Sequence, residues 1–136
     1  MSQELASAAR SLAKMYASMI GNGVDGIRLL NEETIQMATT ELASGIDKVV
    51  AVPTSFGLGF TLNNAIPPGF SEFSTLSGSL GSEGAFGHSG AGGSLGFADP
   101  TLDFAFAYVM NQMHVVAGGD DPRTLSLIKA VHDSIS

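Results

Sequence analysis

The sequence predicts an α+β chain: a short antiparallel β-meander flanked by N-terminal helices and a C-terminal helix. Three observations carry this. Apolar residues recur at spacings of three and four near both ends. The middle holds short runs rich in aromatic and β-branched residues. Eleven of the seventeen glycines crowd into the stretch from Gly57 to Gly96 rather than spreading evenly, as tight turns between strands require. One domain over residues 1–136 is expected, with 1–45 a helical segment and 46–136 carrying the sheet and final helix.

The first helix is read from Leu5, Ala8, Ala9, Leu12, Met15, Tyr16, Met19 and Ile20. Gly21-Asn22-Gly23 then stops it. Asp25-Gly26 makes a turn, Ile27 to Leu30 is short and apolar, and Asn31 caps a second helix whose acidic first turn, Glu32 and Glu33, suits the helix dipole. That helix is expected to fade near Ala43 to Gly45. Phe56, Leu58, Phe60 and Leu62 alternate with Gly57 and Gly59, which predicts a strand closely approached by another backbone. A long loop follows, punctuated by Pro67-Pro68-Gly69 and the Ser/Gly-rich run from Ser77 to Gly84.

Ala85 to Ser89 and Ser94 to Ala98 are short strands joined by Gly90-Ala91-Gly92-Gly93. Asp99-Pro100 turns the chain into a third, within Leu102 to Asn111. Asp121 as N-cap and Pro122 at the first helical position open the last helix, with Leu125, Ile128, Val131 and Ile135 along one face. Met15, Met19, Met110 and Met113 are read as core fillers.

Composition excludes several functions. An apolar fraction of 44% with 14% charged residues is that of a globular chain. With 13 acidic and 6 basic residues the net charge is −7, which repels phosphate backbones, so nucleic acid is not expected as a partner. The absence of cysteine removes a thiolate nucleophile, a disulfide framework and Cys-ligated zinc. His114 and His132 have no acidic residue at ligand spacing, and the glycine cluster opens no phosphate-cradling helix, so no metal or cofactor is expected. Met1 to Arg10 lacks the pattern of a signal peptide, and the longest apolar run, Phe104 to Met110, is too short to span a bilayer. A soluble chain without membrane contact is expected, cytoplasmic by default.

The informative segment runs from Ala85-Phe86-Gly87-His88-Ser89-Gly90-Ala91-Gly92-Gly93 through Asp99-Pro100 to Phe104–Asn111. It resembles the end of the sheet in β-lactamase-related serine hydrolases, the superfamily of class C β-lactamases, penicillin-binding proteins and esterases. There a Lys/His-Ser/Thr-Gly strand edges the active site. The resemblance extends back through Ser11 to Tyr16, Arg28 to Leu30 and Phe56 to Phe60, and corresponds to the last third of a typical member. It implies that His88 takes the cationic position and that Ser89 offers a hydroxyl to the substrate. Gly90 would leave room for a bound acyl group, and the Ala91 N–H would be one oxyanion donor. Histidine in place of lysine favours an esterase-like member. The substrates implied are small esters, amides or lactams.

The same family needs a Ser-x-x-Lys nucleophile and a Tyr-x-Asn or Ser-x-Asn element, because the serine must lose its proton to a neighbouring base as it attacks. Ser11-Leu12-Ala13-Lys14 matches the first in letters, but inside an amphipathic helix with no strand before it. The second is absent from the sequence. The resemblance therefore implies a C-terminal fragment whose engine lies upstream of Met1 and which is inactive alone. Such a fragment is expected to need the missing N-terminal segment or to self-associate.

Two other readings stand beside it. Gly87-His88-Ser89-Gly90-Ala91 nearly spells the nucleophile elbow of α/β-hydrolases, which would make Ser89 the nucleophile, His114 or His132 the base, and Asp120, Asp121 or Asp133 its orienting group. The elbow needs a helix directly after the serine, and Gly92-Gly93 and Asp99-Pro100 leave little room for one. The other reading is a small non-catalytic binding module.

Overall fold

A computed structural model of the chain describes residues 3–49, 51–63, 81–114 and 121–135. Helices α1 (Gln3–Ala17) and α2 (Glu32–Ala38) precede six strands: β1 (Ala43–Ile46), β2 (Pro53–Phe56), β3 (Thr61–Leu62), β4 (Phe86–Ser89), β5 (Leu95–Asp99) and β6 (Phe104–Tyr108). Helix α3 (Pro122–Ile135) closes the chain. The strands form one sheet in chain order, each antiparallel to the next. The expected α+β meander is present, with six strands where the sequence suggested four. Residues 64–80, which hold most of the expected long loop, lie outside the described residues.

Strand β5 is buried along its whole length, as a strand covered on both faces must be. Its alternate residues serve two clusters. Ala98 joins Tyr16, Met19, Ile20, Ile35, Leu62 and Phe86, while Leu95 and Phe97 join Ala85 and Ile128. Helix α1 lies over β5 and β6, and Gly96 lets it approach: a Cβ there would fall 2.7 Å from the Tyr16 ring and 3.0 Å from Leu12. On the other face Gly87 stands opposite Phe97, where a Cβ would meet the Phe97 Cβ at 2.4 Å. The missing side chain leaves room for the Phe97 Cβ and for the Gly96 carbonyl oxygen, which a Cβ would meet at 2.3 Å.

Asp99 ends β5 with no exposed surface. Its carboxylate accepts from the Ser82 N–H at 2.8 Å, the Ser82 hydroxyl at 2.6 and 2.7 Å, and the N–H groups of Thr101 and Leu102 at 3.0 and 3.1 Å. A buried carboxylate is tolerated when its lone pairs are filled in this way.

Asn31 caps α2 as expected, its side chain accepting from the Thr34 N–H at 2.8 Å. The helix closes at Ala38, short of Ala43 to Gly45, and Ala43–Ile46 is instead the exposed edge strand β1. The reason lies in the next element. The stretch from Phe56 to Leu62 is a hairpin turn, not one strand: the Gly57 N–H donates to the Phe60 carbonyl at 2.9 Å, and Gly59 takes φ +77. This turn docks on the end of α2, with the Leu58 N–H donating to the Ala38 carbonyl at 2.9 Å. The expected backbone approach occurs at Gly57, where a Cβ would lie 2.2 Å from that carbonyl oxygen.

Two side-chain expectations are corrected. Of the four methionines, Met19 is buried, but Met15 and Met113 are exposed, because Met15 sits on the outer side of α1. On α3 the buried residues are Thr124 and Ile128, while Leu125 and Ile135 face solvent. The Thr124 hydroxyl donates to the Gly93 carbonyl at 3.1 Å, which rotates the helix away from a purely apolar stripe.

Gly87→Ala is expected to lower stability by about 1–3 kcal/mol, the usual cost of forcing a group into a packed core. Gly90→Ala, whose Cβ would have only ordinary contacts at 3.7 Å, should leave the melting temperature nearly unchanged. Parallel thermal melts of the two variants check the contrast.

Candidate active-site wall

The strand-end residues singled out by the sequence are contiguous in space as well as in sequence. His88 and Ser89 finish β4, paired with Gly96 and Leu95. Strand alternation puts His88 on the face of Phe86 and Ser89 on the face of Gly87. His88 is exposed, and its Nδ1 lies 2.7 Å from the Ser89 carbonyl oxygen. Residues Gly90–Gly93 form the hairpin loop into β5. The Gly90 N–H donates to the Ser94 carbonyl at 2.7 Å and the Gly93 N–H to the Gly90 carbonyl at 2.9 Å. Ala91 is exposed at the tip, and among the described residues no backbone carbonyl takes up its N–H.

The far side of this loop is held by the start of α3. Asp121 accepts from the Arg123 N–H at 2.9 Å, as an N-cap does, and from the Arg123 Nε at 2.9 and 3.0 Å. The Arg123 Nη2 also pairs with the Asp121 carboxylate and reaches the Gly92 carbonyl at 3.4 Å, while Nη1 donates to the Gln112 carbonyl at 3.1 Å. The Gly92 carbonyl further accepts from the His114 N–H at 3.1 Å. A Cβ on Gly92 would meet Met110 at 2.5 Å and Met113 at 2.9 Å, so these two methionines cover the loop from its other side.

Arg123 and Thr124 escaped the sequence reading. The Asp121-Pro122 helix start was visible, but nothing in one dimension says which loop a helix N-terminus meets.

The other sequence candidates are placed elsewhere. Ser11 and Lys14 lie on the solvent side of α1, and the Lys14 ammonium pairs with Asp25 at 2.7 Å. Ser89 is followed by a hairpin into antiparallel β5, not by a helix, so the elbow geometry is not formed. Among the described residues no histidine ring hydrogen-bonds the Ser89 hydroxyl. His132 packs edge-on against Phe104 at 5.7 Å, Asp133 pairs with Lys129 at 2.7 Å, and Asp121 is engaged by Arg123. Asp120 lies outside the described residues.

Residues 2–129 match the Beta-lactamase family. The chain belongs to that family. The curated Esterase/beta-lactamase LipL of Mycobacterium tuberculosis is 35% identical over 110 residues, which are 77% of this chain and 22% of LipL. A penicillin-binding protein homolog from Caulobacter crescentus superposes with a TM-score of 0.77 at 36% identity, covering 93% of this chain and 31% of that one. A family VIII carboxylesterase gives 0.75 at 34% identity, covering 92% and 31%. EstA from Arthrobacter nitroguajacolicus Rue61a gives 0.71 at 34%, covering 93% and 32%. The chain thus spans about a third of these structures and less than a quarter of the curated relative.

Arg123 holds the Asp121 carboxyl well below the usual carboxylate range, at about 2, chiefly through its side-chain hydrogen bond and against the opposing effect of burial. The folded value lies below the ordinary 3.8, so this stabilisation is present in full above that pH and is lost as pH falls toward about 2. Arg123→Ala is therefore expected to flatten the acid limb of stability below about pH 4. Circular dichroism melts of both chains across that range check it.

Proposed function

We propose that the chain supplies one wall of an acyl-hydrolase site, acting on a small ester, amide or lactam through a serine ester. The observation that carries this reading is the end of β4 with its hairpin loop, where His88, Gly90 and Ala91 are exposed and Ser89 is half-buried on the opposite face of the strand from His88. The names of the relatives, esterases and a penicillin-binding protein homolog among them, support the same class of chemistry.

In this reading a serine from another segment attacks the substrate carbonyl while a base takes its proton. The leaving group departs with a proton, and water then releases the acid. The Ala91 N–H donates to the oxygen that becomes negative, where a fixed dipole needs no reorganisation. Ser89 hydrogen-bonds the acyl portion, and His88 occupies the position that lysine holds in β-lactamases. Gly90 keeps the approach open, since it places no side chain between Ser89 and the Ala91 N–H. Ser11 is not the nucleophile: Lys14, the base that the letters Ser-x-x-Lys would assign to it, is engaged by Asp25 at the surface. The 136 residues by themselves are inactive.

The purified chain is expected to leave 4-nitrophenyl butyrate unhydrolysed, and so are its Ser11→Ala and Ser89→Ala variants. Turnover abolished only by Ser89→Ala would make that serine the nucleophile and overturn the reading. Turnover abolished only by Ser11→Ala would move the engine to α1. Supplying the segment that the chain does not cover, from the related family VIII carboxylesterase, is expected to give turnover that His88→Ala lowers roughly 10²-fold, the low end of a positioned acid–base group's contribution.

The partner of the chain in this reading is the remaining segment or, without it, a second copy. Strand β1 is an exposed edge, and Leu42, Ile46 and Val49 beside it are 62%, 49% and 91% exposed. Open edges with apolar neighbours pair with other chains. Sedimentation of the isolated chain should show a concentration-dependent rise in mass that Ile46→Lys suppresses.

A further inference from the structure

The loop that carries the Ala91 N–H has little to hold it by itself. It contains three glycines in four residues, Gly93 takes φ +103, and its internal hydrogen bonds are the two from Gly90 and Gly93. Yet an oxyanion donor works only if its direction is fixed before the charge develops. The groups that fix it come from 31 residues further along the chain, at the first turn of α3.

We propose that Arg123 and Thr124 are positioning residues, which set the place of the Ala91 N–H by holding the carbonyls of the two residues after it. The inference rests on the proposed role of the β4 wall and adds two residues to it. Thr124 donates to the Gly93 carbonyl at 3.1 Å from a buried position. Arg123 spans the Gly92 and Gln112 carbonyls, at 3.4 and 3.1 Å. It thereby ties the hairpin loop to the segment just after β6.

The buried carboxylate of Asp121 orients that span. It accepts from Nε and Nη2 of the guanidinium, leaving Nη1 and the rest of Nη2 for the carbonyls. Only a planar fork can face a carboxylate on one side and two carbonyls on the other. A lysine could satisfy Asp121 or a carbonyl, but not this set together.

The fit is close enough to be specific. A Cβ on Gly93 would lie 2.3 Å from the Asp121 Oδ2 and 3.0 Å from the Arg123 Nη2, so the loop backbone rests directly on the ion pair. Among the described residues the hydrogen bond from Arg123 to the loop is the one to the Gly92 carbonyl, at 3.4 Å.

The test has two parts. In the isotopically labelled chain, hydrogen exchange is measured at the amides of Gly90, Gly93 and His114 for the wild type, Arg123→Ala, Arg123→Lys and Thr124→Val. Exchange at these three amides is expected to rise about tenfold in Arg123→Ala, the factor that a hydrogen bond to a charged group carries. The amides of β2 should not change, which excludes general unfolding. Arg123→Lys should not restore protection. Unchanged exchange at the loop, or full rescue by lysine, would overturn the proposal.

The second part uses the chain complemented with the carboxylesterase segment. Arg123→Ala is expected to lower kcat by about 10- to 100-fold with KM little changed, because misplacing a donor acts on the transition state more than on binding. A loop that loosens without any fall in kcat, while His88→Ala still removes activity, would overturn the positioning role and leave the wall intact. Turnover insensitive to His88→Ala would instead sink the reading of the wall itself.

Discussion

The geometry of the sheet depends first on one buried carboxylate. Asp99 stands where β5 ends, and it gathers donors from both directions along the chain: Ser82 ahead of β4, and Thr101 and Leu102 in the turn to β6. The entry to β4 and the exit from β5 are thus fixed to one point. The hairpin between them then has its free end at the opposite pole, where His88 to Ala91 lie. An aspartate that looks like an ordinary Asp-Pro turn residue in the sequence is the anchor of both connections.

Around that anchor the sheet is built to be thin in chosen places. Gly96 admits Tyr16 and Leu12 on one face, and Gly87 admits Phe97 on the other. The aromatic contacts that follow, Tyr16 with Phe86 and Phe60 on one side and Phe97 with Phe104 and Phe106 on the other, fill what the glycines leave. Close packing of this kind makes the strand rigid up to the residue where it meets solvent. Rigidity at that residue is what a wall of a reacting site requires.

Much of this was legible in one dimension, and the failures have physical causes. The Asn31 cap, the Asp121-Pro122 helix start and the β4–β5 hairpin were readable because each depends on neighbours within a few residues. So was the family, since the segment around His88-Ser89-Gly90 carries it. The β1 strand was hidden because Ala43-Ser44-Gly45-Ile46 has no strand-like periodicity and is made a strand only by pairing with Pro53–Phe56. The stretch from Phe56 to Leu62 imitated a strand through true alternation, until a positive φ at Gly59 folded it on itself. Arg123 and Thr124 were illegible because their partners are 31 residues away. A long-range contact made through backbone carbonyls leaves no mark on the identity of the residue that is touched.

The order of the strands has a kinetic meaning. Every strand pairs with its neighbour in sequence, so the hairpins β1–β2, β4–β5 and β5–β6 can each close over short loops on a microsecond scale. Helix α1 is the exception. It precedes every strand, yet it packs on β5 and β6, the last two of the sheet. Leu12 and Tyr16 on its inner face therefore stay uncovered until β5 is in place. Because non-local contacts form more slowly than local ones, the closing of that longest loop is expected to set the pace at which the two faces of the sheet are covered.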